Sequence, residues 1–177
     1  MTTFPRSTLL VGALGAVLLP TAGGVATASP AAAAGTTPRC IASVLALSHT
    51  RHDLGAGQSY ERLVLRNVGR HTCHLRGFPG VSYVVAAGRQ VSAAASFTDQ
   101  RRVTVVLPPG RSAFAVLHAI NVVDAVPGCS RPAQQVRALG LRVYPPGSSL
   151  AMYVPDPHPA CTSPTAHLLD VGPLRAS

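Results

Sequence analysis

The side chains able to do chemistry in this chain are four cysteines, seven histidines and six carboxylates. His49 and His52 share one segment, and His71 and His74 flank Cys73, a grouping that raises the question of a metal site. A zinc site needs three or four donors converging at about 2 Å. If the segment before His49 pairs with a strand beginning near Tyr60, His49 and His52 lie at the far end of that hairpin from His71 and His74. His71 and His74 also have opposite parity, so a strand sends them to opposite faces. No metal ligand and no cofactor-binding residue is expected, and His118 is expected to be a hydrogen-bonded sheet residue.

Hydrolytic chemistry has no stronger support. Gly80-Val81-Ser82-Tyr83-Val84 lacks the second glycine of a nucleophile elbow. The acids Asp53, Glu61, Asp99, Asp124, Asp156 and Asp170 are never adjacent, so paired-carboxylate catalysis has no sequence signal. No glycine-rich phosphate loop runs from a strand into a helix. No catalytic residue is expected. An extracellular hydrolase assembled from distant residues is the weakest alternative, because such constellations are recognised by geometry and not by spacing.

The cysteines read as a framework. Cys40, Cys73, Cys129 and Cys161 contain no Cys-x-x-Cys and sit downstream of an export-type leader. Such a context opposes free thiols or a redox site. Arg6 begins the leader, Leu9 to Leu19 is apolar, Pro20 ends that run, and Ala26-Thr27-Ala28 is an A-x-A cleavage site. About eleven residues make roughly 16 Å of helix, half a bilayer core and too short for an anchor. The expected division is a signal peptide over 1–28, a flexible segment over 29–39 and one β domain over 40–177. Cleavage within Ala31–Ala34 is the alternative. No cysteine near the apolar run offers a lipidation site and no twin-arginine pair precedes it, so the product is expected to be secreted without a transmembrane anchor.

Those residues must be positioned by strands. Ile41–Ser48, Tyr60–Asn67, His71–Leu75, Val81–Ala86, Arg89–Ala93, Arg102–Leu107, Ser112–Asn121, Val136–Tyr144, Leu150–Val154 and Leu168–Val171 are short and β-prone. Leu63 and Leu65 share one face against Arg62, Val64 and Arg66, and Ser112–Asn121 alternates Phe114, Val116, His118 and Ile120. Leu139, Leu141 and Val143 are expected to face the core. Asn67-Val68-Gly69-Arg70, Pro108-Pro109-Gly110 and Pro145-Pro146-Gly147 are turns. The fold class expected is all-β, an antiparallel immunoglobulin-like β-sandwich with two disulfides. Four cysteines allow three pairings. The hairpins favour Cys40–Cys73 and Cys129–Cys161, each closing the mouth of a hairpin. Loops of about 33 residues imply on the order of 3–4 kcal/mol per bridge by the chain-entropy model.

The run Tyr60-Glu61-Arg62-Leu63-Val64-Leu65-Arg66-Asn67-Val68-Gly69, followed by Cys73-His74-Leu75-Arg76-Gly77-Phe78-Pro79-Gly80-Val81, resembles an exported actinobacterial family, domain of unknown function 4232. Gly140-Leu141-Arg142-Val143-Tyr144-Pro145-Pro146-Gly147 and Cys161-Thr162-Ser163-Pro164 extend the resemblance from Cys40 to about Leu174. It implies an extracytoplasmic, immunoglobulin-like domain with adjacent cysteine pairing, and brings no catalytic residues. Many relatives resemble lipoproteins with a lipidated cysteine, which this chain lacks.

All fifteen basic residues are arginine, and against six acids they give a net charge of +9. That charge suits an anionic cell-wall polymer, although the arginines are scattered along the chain with Arg101-Arg102 the only doublet. Most of the Phe and Tyr residues sit at strand positions that suit a core, so stacking on nucleic acid is not expected, and Tyr144 beside Arg142 is the best exposed candidate. The expected function is a secreted, non-enzymatic binding or cell-envelope-associated module. Its ligand is unassigned, and an anionic wall polymer or another extracellular protein is the expected partner. Recognition is expected from the loops His49–Gln58, Asp124–Gln135 and Pro155–Thr165. The alternative is a secreted protease inhibitor presenting Arg131 beside the Cys129 bridge.

Overall fold

Residues that alternate apolar and polar along the chain form strands, and the apolar set turns inward. The computed structural model describes residues 36–99 and 101–177, with only the backbone for 51–54. The expected signal peptide and most of the 29–39 segment lie outside the described residues. The first hairpin is β1 (Leu45–Gly55) with β2 (Gln58–Asn67). Along β2, Glu61, Leu63, Leu65 and Asn67 are buried while Tyr60, Arg62 and Arg66 are exposed. The hairpin turns on Ala56 and Gly57, with φ of 47° and 76°, the left-handed pair that a two-residue turn of this hand requires. His49–Gln58, expected as a loop, is therefore mostly strand. Its polar composition carries too little apolar alternation to announce one.

The remaining strands are β3 (Cys73–Arg76), β4 (Gly80–Val84), β5 (Gln90–Val91), β6 (Ser96–Phe97), β7 (Thr104–Leu107), β8 (Ser112–Ile120), β9 (Gln135–Tyr144), β10 (Met152–Cys161), β11 (Leu169–Val171) and β12 (Arg175–Ala176). They form a six-stranded sheet in the order β1-β2-β8-β11-β6 with β12 also on β8, a four-stranded sheet β10-β9-β4-β5, and the pair β3-β7. The fold is all-β with two disulfides, but its sheets are mixed. β6 runs parallel to β11, and Arg39 and His74 form a parallel bridge. The wholly antiparallel expectation fails there because hairpins enforce antiparallel pairing only between strands close in sequence. β6 reaches β11 from far along the chain.

One core joins the inner faces of all three sheets. Leu63, Leu65, Leu75, Leu107, Leu117, Leu141, Val143 and Leu169 are each exposed by 1% or less. On β8 the buried side chains are Ala113, Ala115, Leu117 and Ala119, so the bulkier Phe114, Val116 and His118 cover the outer face. Leu141 and Val143 face the core, whereas Leu139 is 48% exposed. The physical cause is a register shift between Pro155 and His158 of β10, opposite Ala138 and Gly140, which breaks the alternation along β9. Pro155, Pro157 and Pro159 do not end β10, because it is an edge strand whose outer side needs no donor. Most of the expected loop Pro155–Thr165 is thus strand, while Asp124–Gln135 is irregular, with 3-10 turns at Val123–Ala125 and Pro132–Gln134.

The cystines are Cys40–Cys73 and Cys129–Cys161. The first ties the segment before β1 to the start of β3, and the second ties the irregular loop to the end of β10. The turn after β2 is held by the buried Asn67 side chain. Its Nδ2 donates to His71 O (2.9 Å) and Leu107 O (2.8 Å), and its Oδ1 accepts from Gly69 N (2.9 Å).

Candidate functional site

Among the described residues, polar side chains gather in three places that bear on function, and two of these are closed upon themselves. In the interior, β1, β2 and β10 bring His49, Glu61 and Asp156 together, with ligand atoms all within 4.8 Å of one another. Glu61 is fully buried and Asp156 is 2% exposed. His49 Nδ1 lies 3.2 Å from Glu61 Oε2. Both carboxylates are engaged within the fold, which makes this cluster a polar tie between the two larger sheets. Nearby, His158 stacks on Tyr83 at 5.0 Å, and its Nε2 lies 2.7 Å from Asn121 Oδ1, which also accepts from Ser59 Oγ. The sequence places Glu61 and Asp156 far apart and not adjacent to any other acid, so the cluster carries no spacing signal. The parity of Glu61 with Leu63 and Leu65 was the available signal.

The other histidines are dispersed. His71 is exposed, and His74 donates from Nδ1 to Thr37 O at 2.8 Å. The side chain of His52 lies outside the described residues. His118 sits on the outer face, with Nδ1 3.2 Å from Asp170 Oδ2, Nε2 2.8 Å from Gln58 Oε1 and the Tyr60 ring at 4.9 Å. A hollow of about 390 Å³ beside it includes Tyr60, Thr98 and Asp99. Asp170 and Gln58 thus hold the His118 ring from both of its nitrogens. A separate apolar hollow of about 400 Å³ is lined by Val84, Leu139, Met152 and Tyr153.

The third place is open. Arg39, Arg76, Phe78, Phe97, Arg102, Pro146 and Gly147 line a hollow of about 390 Å³. Each arginine arrives from a different element. Arg39 precedes Cys40 and is strapped along β3 by Cys40 N→His74 O and His74 N→Pro38 O, both 2.9 Å. Arg76 ends β3, and Arg102 lies just before β7. Phe78 belongs to the corner after β3, and Phe97 on β6 stacks against it at 4.5 Å. Pro146 and Gly147 form the turn after β9, closed by Ser148 N→Pro145 O (2.9 Å) with Gly147 at φ 71°. A Cβ on Gly147 would strike the Arg39 guanidinium, and one on Gly77 would lie 3.8 Å from Arg102. Gly147 therefore leaves room for the Arg39 side chain, whereas a Cβ on Gly77 would make only ordinary contact with Arg102.

Among the described residues no carboxylate lines this hollow and none of the three arginines is in an ion pair. The surface is also more basic than composition suggests, since Glu61 and Asp156 are withdrawn into the core. Arginines that are scattered in sequence converge in space. Sequence reading likewise placed most aromatics in the core, yet Tyr60, Phe97 and Tyr153 are 44%, 52% and 54% exposed. Tyr144 is half-buried, with the Arg142 guanidinium 5.6 Å from its ring centre. Arg131 is exposed, and its N–H donates to Gln134 Oε1 at 3.1 Å.

Residues 40–175 match the model of a family described as a domain of unknown function (DUF4232). No curated protein and no solved structure matches the chain.

Proposed function

This chain belongs to the family described as a domain of unknown function (DUF4232), and we propose that it is an exported, non-enzymatic binding module that takes an anionic ligand in the Arg39–Arg76–Arg102 hollow. One observation carries the reading: three guanidinium groups share a hollow that contains no carboxylate among the described residues. Like charges gathered without a counter-charge repel one another, and an anion entering between them relieves that repulsion. Arginine's planar fork fits the oxygens of phosphate and carboxylate. The hollow holds no nucleophile and no general base, only Arg, Phe, Pro and Gly, which favours binding over turnover.

Export is supported by two disulfides, which persist in oxidising compartments. Among the described residues no helix is long and apolar enough to cross a membrane. We read the two larger sheets as the faces of an immunoglobulin-like sandwich, with the hollow at one of its ends. An anionic polymer of the cell envelope is the partner that combines this compartment with this charge.

Retention on an immobilised anionic polymer tests the proposal. Three neutralised charges give a log–log salt slope of about −2.1 to −2.7, so raising salt from 50 to 200 mM weakens binding by roughly 20- to 40-fold. Arg39→Gln, Arg76→Gln and Arg102→Gln each reduce retention, whereas Arg62→Gln on the outer face does not. Retention insensitive to salt, or lost equally in all four variants, contradicts the site.

A further inference from the structure

We propose that the occupant of this hollow is a phosphorylated sugar unit, with its ring lying on Phe97 and its phosphate held among the three guanidiniums. The proposal rests on the anion-binding reading above and adds the chemical class of the ligand.

The lining divides into two chemistries. Arg39, Arg76 and Arg102 supply the charge, while Phe78, Phe97 and Pro146 supply an apolar wall. A bare anion uses only the first. At about 390 Å³ the hollow falls in the range of sites for small organic ligands, which begins near 300 Å³. One ring with one phosphate matches that size better than a lone ion does. Phe97 is 52% exposed while Phe78, stacked beneath it, is 8% exposed. The pair thus presents one supported aromatic face to the hollow. That face carries the negative lobe of the ring quadrupole and attracts the weakly positive C–H face of a sugar.

Phosphate is the better match among anions because its several oxygens can accept from three separate forks, whereas a carboxylate offers two. A nucleic acid strand fits less well. Its successive bases need several stacking platforms, and this hollow offers a single exposed ring.

The test uses the full chain recovered after export and four probes: a hexose 1-phosphate, the same hexose without phosphate, inorganic phosphate and oligothymidylate. Affinities come from NMR titration of the arginine side-chain N–H signals. The expected result is that hexose 1-phosphate binds at least tenfold more tightly than inorganic phosphate and more tightly than the thymidylate unit, with no binding of the unphosphorylated hexose. Phe97→Ala and Phe97→Leu, at an exposed position, abolish the tenfold preference, bringing hexose 1-phosphate to the affinity of inorganic phosphate in the same variant. Arg76→Gln weakens both phosphate ligands. Equal affinity for hexose 1-phosphate and inorganic phosphate, or unaltered preference in both Phe97 variants, overturns the sugar assignment while the anion site stands. Tighter binding of oligothymidylate overturns it in favour of a nucleic acid. Failure of every anion to bind removes the underlying site and this proposal together.

Discussion

The two disulfides provide an internal control for the role of the hollow. They enclose 33 and 32 residues. The chain-entropy relation assigns about 3.7 kcal/mol to each, with a difference of about 0.1 kcal/mol or less. Replacing either pair by alanine, which suits the apolar surroundings of these buried sulfurs, therefore lowers stability by nearly the same amount. For a domain of this size that is a fall in Tm of roughly 7–15 °C. The functional consequences differ. Cys40 holds Arg39 and Cys73 begins the strand that ends in Arg76, whereas Cys129 and Cys161 adjoin no residue of the hollow. Freeing Arg39 removes a hydrogen bond to a charged ligand, about 1.5–3 kcal/mol, or roughly tenfold to a hundredfold in affinity. The assay is anion binding by calorimetry at low temperature, with circular dichroism verifying that both double variants are folded. C40A/C73A should bind weakly and C129A/C161A should bind as the parent does. Equal losses in the two variants, or full affinity in C40A/C73A, would refute the reasoning.

Three further outcomes are expected. Gly147→Ala keeps all three arginines but pushes the Arg39 guanidinium aside, so anion affinity falls several-fold at unchanged net charge, with about 1 kcal/mol lost from the left-handed backbone at that position. Calorimetry and a urea melt read the two effects. Glu61→Ala breaks a fully buried polar cluster and lowers unfolding free energy by about 3 kcal/mol, measured by urea denaturation, while anion affinity is unchanged. Arg131→Ala leaves anion binding unaltered, and incubation of the parent protein with a trypsin-like protease gives no stoichiometric inhibition. A tight one-to-one complex that disappears in Arg131→Ala would instead support the inhibitor role.

Much of the framework was legible in the sequence because it depends on local pattern. The alternation of Leu63 and Leu65 with Arg62 and Arg66 fixed one strand and its inward face. The Pro-Pro-Gly turns at Pro108 and Pro145 fall where the left-handed Gly110 and Gly147 are found. Features set by partners far away were not legible. The polar half of β1 is a strand only because β2 pairs with it, and β10 continues through three prolines only because it is an edge. The turn at Asn67-Val68-Gly69-Arg70 is legible from its residue types, but the buried Asn67 amide that secures it is not. The hollow was hidden for the same reason. Arg39, Arg76 and Arg102 are separated in sequence by tens of residues, and their scatter reads as an absence of any basic cluster. Only the parallel bridge at His74, the Cys40–Cys73 bond and the β3–β7 pairing bring them to one side.

The most direct measurement follows every arginine side chain by its Nε–H resonance while a phosphate monoester is added to the full chain. The signals of Arg39, Arg76 and Arg102 should shift together along one saturating curve, and those of Arg62 and Arg142 should stay in place. Shifts of similar size at all arginines, or at none, would contradict a specific anion site in this hollow.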